Sequence, residues 1–290
     1  MNNYFNCIAH YSSEGNLLVG DTHAAMIDCG MAFCAGDTIQ KAKAALDGRN
    51  LDYIFFSHTH YDHIGALPYF KREWPDLQVV TSSAGAAVLL KDTPRRVIRE
   101  FSAIAAKSHG IVLDDNYDDN VFCGDIIVKD GDSIDLGGIT AEIIETPGHT
   151  RDCISFFVPE TGLLIVSETM GVLMPDGSIH PCYLTGYDDT ITSIERCGKI
   201  PYKNLSLPHS GIASDKDAAD FFAKALTANK DCHDFVCGMK AKGLTEQEML
   251  EEFFRRYSNP TLLLYQPKEA FMANARATIE KTPLRGHNDN

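Results

Sequence analysis

Ser57-His58-Thr59-His60-Tyr61-Asp62-His63, followed by Ile64 and Gly65, decides the reading of this chain. Four of these side chains can ligate a metal: His58, His60, Asp62 and His63. The stretch comes directly after Leu51-Asp52-Tyr53-Ile54-Phe55-Phe56, a mostly apolar, strand-forming run that reads as a buried strand. Residues 64–70 read as the start of a helix, so the cluster sits on a strand-to-helix turn. Side chains at i and i+2 of an extended stretch face the same way, so His58 and His60 can grip one ion together. Asp62 and His63 lie past the bend and can face a second ion beside the first. Imidazole and carboxylate suit zinc, iron, nickel or manganese without any thiolate. A lone histidine is more often a packed core residue, but this density of ligands at a strand end is not explained by packing.

Working outward, the 290 residues allow one large domain or two smaller ones. A hydrophobic share of 44% and a charged share of 23% are ordinary for a globular protein. The net charge of −14 argues against nucleic acid as a partner, because phosphate backbones are held by basic surface. It leaves small anionic substrates open, since bound cations supply local positive charge. The nine cysteines are odd in number and scattered, with no Cys-x-x-Cys. No signal-peptide pattern is read, so reduced thiols and a cytoplasmic setting are expected. Cys232, His233 and Cys237 lie together but read as one face of an ordinary helix rather than a metal site. No apolar run reaches the roughly 20 residues that a membrane span needs, so no membrane partner is expected.

In chain order, residues 16–19 and 23–27 read as a hairpin ending at Asp28-Cys29-Gly30. Asp28 is either a carboxylate supporting the metal cluster from behind or a plain turn residue. A helix is expected over 37–46, a strand over 78–81 and helices over 82–90 and 94–107, the last with Thr93 as cap and Pro94 first. The acidic run at 114–120 lacks a calcium-loop pattern and reads as a solvated connection. Strands follow at 125–129 and 133–136, joined at Asp130-Gly131-Asp132, then at 139–145, 154–158 and 163–166. A helix over 188–197 and a short strand over 205–207 complete the series. Four of the strands deliver a ligand where they end: the His58–His63 cluster, His149, Glu168 and His209. Together these would line one edge of a sheet sandwich. The remainder reads as helical, with Ser214 and Asp217 in capping positions, a Thr245–Glu248 capping box with Leu244 and Met249 placed as its staple, and a last helix opened by Pro267.

His58-Thr59-His60-Tyr61-Asp62-His63-Ile64-Gly65, then Thr146-Pro147-Gly148-His149-Thr150, an acidic residue after a strand, and Pro208-His209 resemble the metallo-β-lactamase superfamily. The resemblance covers residues 1–212 and implies an α/β fold, an αββα sandwich with a C-terminal helical extension over 213–290. It implies two divalent metal ions per chain, zinc favoured, with iron or manganese as alternatives. His58, His60 and His149 would hold the first ion, Asp62, His63 and His209 the second, and Glu168 would bridge them. Glu168 departs from the family's usual Asp. The extension looks closest to those of glyoxalase II and of quinolone-signal thioesterases, as a pocket cover or a homodimer contact.

The function expected is hydrolysis of a small ester or thioester by a hydroxide between the metals, with Asp62 as the catalytic proton carrier. Small-molecule phosphodiester cleavage is the alternative of the same type. Iron-dependent redox chemistry and a regulatory role with a structural metal site are alternatives of another type. No Gly-x-Ser-x-Gly and no phosphate-cradling Gly-rich loop offers a rival nucleophile or site. The loop between Glu168 and residue 188 is expected to cross the mouth of the site. There Tyr183, Tyr187 and His180 are candidate substrate contacts, each weighed against packing beneath the loop. Met170, Val172, Leu173 and Met174 are expected to make an apolar lining.

Overall fold

The computed structural model describes residues 3–114 and 116–283. Asp115 of the acidic run, and residues 1–2 and 284–290 at the ends of the two expected segments, lie outside the described residues. The strands are β1 (Tyr4–Asn6), β2 (Asn16–Val19), β3 (Ala24–Ile27), β4 (Tyr53–Phe55), β5 (Gln78–Ser82), β6 (Ile126–Val128), β7 (Ser133–Asp135), β8 (Thr140–Glu145), β9 (Ile154–Val158), β10 (Leu163–Ile165), β11 (Val172–Leu173), β12 (Ile179–His180), β13 (Asn204–Leu207) and β14 (Gly211–Ile212). The α-helices are α1 (Ala35–Leu46), α2 (Tyr61–Ile64), α3 (Leu67–Glu73), α4 (Ser83–Leu89), α5 (Asp92–Ser108), α6 (Tyr187–Cys197), α7 (Asp215–Ala241), α8 (Glu246–Tyr257), α9 (Leu262–Tyr265) and α10 (Lys268–Lys281).

Two six-stranded sheets form the centre, in the orders β1-β2-β3-β4-β5-β6 and β14-β13-β10-β9-β8-β7. Strands β3 to β6 pair in parallel. Parallel neighbours need crossovers, and the helices between them supply these. The first sheet is therefore covered on both faces, which is why its strands read as unbroken apolar runs. Leu17, Met26, Ile54 and Val79 pack outward with Ala42, Leu46, Leu67 and Phe70 of the covering helices. Their neighbours Leu18, Ala25, Phe55 and Val80 turn inward to meet Ile143, Phe156 and Val158 of the second sheet. The Phe55 and Phe156 rings stack across that interface with centroids 5.6 Å apart. The far face of the second sheet packs Leu164 and Leu205 on Ile194 of α6 and Phe221 of α7. The layers run helices, sheet, sheet, helices: the expected αββα sandwich, with a helical region after it.

Asp130-Gly131-Asp132 joins two strands as expected, and these lie in different sheets, because β6 pairs with β5 and β7 pairs with β8. The turn thus carries the chain across the sandwich. Helix α5 opens at Asp92 without a side-chain cap, so Thr93 lies inside its first turn. Pro94 is tolerated there because first-turn N–H groups have no helical acceptor to lose. Farther along, Ser214 caps α7 through Asp217 N, and the Thr245–Glu248 capping box forms at α8. Helices α7, α8 and α10 close a further cluster that includes Cys232, Phe253 and Phe271. All nine cysteines are free. Among the described residues, no helix is long and apolar enough to cross a membrane.

Candidate metal centre

Both sheets deliver ligands to one edge. His58 and His60 lie in the segment that leaves β4, and α2 presents Asp62 and His63 from its single turn. His149 follows β8. Gly148 before it has φ +149, and a Cβ there would lie 2.2 Å from Thr190 Oγ1, so only glycine lets this turn press against α6. Glu168 opens the short turn after β10. His209 follows β13 with a left-handed backbone, φ 62, and Asp28 follows β3 with φ 56. Such conformations cost non-glycine residues roughly 1–3 kcal/mol and persist where the surroundings hold them. Both are held here, by the partners described below.

The ligand atoms form two overlapping sets. His58, His60, His149 and Glu168 make one, and Asp62, His63, Glu168 and His209 make the other; within each set the atoms lie within 4.8 Å of one another. Glu168 Oε2 belongs to both. It lies 3.3 Å from Nε2 of His63 and of His149, 3.7 Å from His58 Nε2 and 3.8 Å from His209 Nε2. Asp62 Oδ2 stands 4.0 Å from His63 Nε2 and 3.9 Å from His209 Nε2. His60 turns Nδ1, not Nε2, toward the cluster, 2.9 Å from His149 Nε2.

These residues fit a metal site. The inward nitrogens of His58 and His63 are fully buried with no hydrogen-bond partner. Orphaned buried polar atoms are costly, and two converging on a shared carboxylate need a charge between them. The nitrogen and oxygen donor set suits zinc, iron or manganese.

The opposite ring nitrogens are fixed by the protein, as metal-bound imidazoles require. His149 Nδ1 donates to the Cys182 carbonyl at 2.7 Å, and His209 Nδ1 to the Ser12 carbonyl at 3.0 Å. His63 Nδ1 donates to Asp28 Oδ2 at 2.8 Å. The same carboxylate accepts from Ser57 N and Ser57 Oγ, so Asp28 supports the cluster from behind rather than serving as a plain turn residue. Glu14 is a partner that sequence reading missed. It is buried, accepts from His209 N and from Asn16 Nδ2, and so holds the strained His209 backbone. It stands in a loop ahead of β2, far from every ligand in sequence, and no spacing marks it.

The local electrostatics divide the site. Burial, reinforced by the neighbouring imidazoles, drives His58 well below its ordinary pKa, and burial with His149 lowers His60 to about 4. Both rings are therefore neutral, the ligating form. Burial also opposes charge on His63, but Asp28 overrides it and raises the pKa well above the usual value. Burial likewise opposes charge on His209, which Glu168 and Glu14 raise to about 9. Burial penalises the Glu168 carboxylate, yet His149, His209 and His63 hold it well below the ordinary range. In the second half, carboxylates thus outweigh the burial of His63 and His209.

A cavity of about 500 Å³ opens on this edge, with His60, Asp62 and Glu168 among its lining. Its apolar wall comes from α5, through Val97, Ile98 and Phe101, and from Ala270 and Ala273 of α10. The apolar lining expected from 170–174 is not found there. Met170 and Val172 are core residues, and Leu173 and Met174 border a separate hollow beside His209. The expected substrate contacts are also absent from this cavity's lining. Tyr183 is fully buried and bonds Thr282 through its hydroxyl; Tyr187 packs on His233, and His180 on Tyr257 and Phe271. Helices α7, α8 and α10 close over that loop and draw its aromatics inward. Nothing in the loop's own sequence foretells those partners.

This sandwich and its paired ligand sets define a class of metal-site proteins. A family model described as the Metallo-beta-lactamase superfamily matches residues 16–209, and the chain belongs to that superfamily. It is 27% identical over 203 residues to a nitric oxide reductase of Moorella thermoacetica, a match covering 69% of this chain and 43% of that protein. It is 28% identical over 153 residues to a hydroxyacylglutathione hydrolase of Prochlorococcus marinus, covering 52% and 48%. The chain therefore spans less than half the length of these two relatives. Among solved structures it resembles the archaeal superfamily protein ST1585 of Sulfolobus tokodaii, with a TM-score of 0.60 and 22% identity over 78% of this chain and 85% of that one. That likeness is one of fold.

Proposed function

We propose that this chain is a metal-dependent hydrolase of small esters or thioesters. The observation that carries the reading is the cavity floor, where ligands of both sets open onto apolar walls large enough for an acyl group. His58, His60 and His149 would hold one divalent ion and Asp62, His63 and His209 a second, with Glu168 common to both sets. Such a pair of ions supplies a hydroxide at neutral pH and polarises a carbonyl oxygen. Asp62 is partly exposed on the cavity, so its carboxylate is placed to take a proton from the nucleophile and return it to the leaving group. A thiolate leaves with little help from a proton, which favours thioesters. The setting is cytoplasmic and the partner a small molecule, with neither nucleic acid nor membrane engaged. Likeness to a nitric oxide reductase supports a second reading, redox chemistry at iron.

The test is metal content of anaerobically purified protein, with turnover of a panel of acyl thioesters, esters and phosphodiesters. The expected result is about two ions per chain and thioester hydrolysis, with Asp62→Asn lowering kcat by roughly 10²- to 10⁴-fold. Iron-loaded protein that hydrolyses nothing on the panel but reduces nitric oxide would move the redox reading ahead.

The helical segment from 213 onward is proposed to act as a pocket cover, since α10 contributes Ala270, Ala273 and Asn274 to the cavity wall. Ala273→Trp is expected to raise KM for long acyl chains at least tenfold more than for acetyl, because bulk there fills the space a long chain would use. Equal effects on all chain lengths would show that acyl groups lie elsewhere.

A further inference from the structure

Arg151 is the one arginine or lysine in the lining of the cavity. It is exposed and stands two residues after the ligand His149, on the turn that leads into β9. The backbone on either side of it is pinned: Gly148 N donates to the Thr150 carbonyl at 3.2 Å, and Ser82 Oγ to the Asp152 carbonyl at 3.0 Å. The side chain has no such anchor. Every other described arginine meets a carboxylate, a backbone carbonyl or an aromatic ring. Among the described residues, Arg151 has no hydrogen-bond, ion-pair or ring partner. Asp62, Asp152 and Glu168 line the same cavity, yet none of them pairs with it. In a chain with 40 acidic against 26 basic residues, an arginine held beside the metal ligands and left unpaired does nothing to hold the fold. Its planar fork of N–H donors matches a carboxylate or a phosphate. The apolar wall that α5 and α10 supply offers an anion nothing, so Arg151 is where a negative charge entering this cavity finds a partner.

We propose that the substrate carries an anionic group, a carboxylate or a phosphate, apart from the carbonyl that is hydrolysed, and that Arg151 binds it. The proposal rests on the hydrolase reading and narrows its substrate class to anionic esters or thioesters. Arg151 shares its turn with a metal ligand, so an anion held there fixes the substrate at a second point and orients the carbonyl toward the metal sets. The chain's net charge of −14 repels an approaching anion, and a local cation at the cavity offsets that repulsion where the substrate enters.

The test uses two matched pairs of thioesters on the metal-replete enzyme. Butyryl and succinyl N-acetylcysteamine differ by a carboxylate on the acyl part; S-butyryl pantetheine and its 4′-phosphate differ by a phosphate on the thiol part. The expected kcat/KM is roughly 10- to 100-fold higher for the anionic member of at least one pair, and the pair that responds names the group and its side of the carbonyl. In Arg151→Ala, at unchanged metal content, this ratio collapses toward one. Arg151→Lys keeps the charge without the fork and retains part of the preference. Arg255→Ala, the same change of charge on α8, leaves the ratio as it was. Calorimetry of the corresponding non-hydrolysable thioethers separates the two layers of argument. Tighter binding of an anionic thioether that Arg151→Ala abolishes, without hydrolysis of any thioester, would uphold the Arg151 subsite and remove the hydrolase reading. Equal rates and equal binding within both pairs, or a preference that Arg151→Ala leaves intact, would overturn the proposal, the second result assigning the anion to the metals alone.

Discussion

Glu168→Ala is expected to lower metal content from about two ions per chain to less than one, and kcat/KM by more than about 10³-fold. Glu168 Oε2 is the single atom placed 3.3–3.8 Å from four inward-facing imidazole nitrogens. Without it, each ligand set loses its common member, and the cluster keeps only the Asp62 carboxylate. Two cations close together would then repel with no side-chain carboxylate common to both, Asp62 standing in one set alone. Glu168→Asp retains the charge and is expected to keep more metal than Glu168→Ala. Elemental analysis of both variants, with circular dichroism to confirm folding, checks this. Two tightly held ions in Glu168→Ala would refute a bridging role.

Asp28→Ala is expected to cost stability as well as metal affinity. The carboxylate is buried and accepts from Ser57 N, Ser57 Oγ and His63 Nδ1. Its removal leaves donors unsatisfied at the end of β4, and unmade buried hydrogen bonds to a charge cost about 3–5 kcal/mol in such cases. It also frees the His63 ring, and loss of a partner of this kind typically weakens metal affinity about 10- to 100-fold. Asp28→Asn keeps the volume and the Ser57 N bond but can present an amide N–H toward His63. It is expected to lose metal affinity with a smaller stability loss. Denaturant unfolding of the metal-free protein, paired with chelator competition, separates the two effects. A metal-free Asp28→Ala as stable as wild type would show that these hydrogen bonds carry no net stability.

The ligand cluster was legible because its chemistry is local. Three histidines and an aspartate within Ser57–His63, behind an apolar run, are rare for any reason other than an ion. The remaining ligands were legible because each ends an apolar strand at a turn residue. Glu14 was not, since only the meeting of its loop with His209 gives it a role. That Tyr183, Tyr187 and His180 lie outside the cavity lining was not legible for a similar reason. An aromatic in a loop can face a cavity or a core equally well, and the helices that bury these residues come much later in the chain.

By itself the sequence determined the period and order of the strands, the helical capping signals and the identity of the clustered ligands, because side-chain alternation and turn chemistry act over a few residues. Tertiary structure alone decided which sheet each strand joins. Asp130-Gly131-Asp132 has the composition of a hairpin turn, yet it crosses the sandwich, because β5 offers the edge that β6 takes. It also decided that α5 and α10 wall the cavity, while the loop after Glu168 reaches it through Thr185. Those outcomes depend on surfaces brought together from distant parts of the chain, and packing between such surfaces leaves no periodic mark on either.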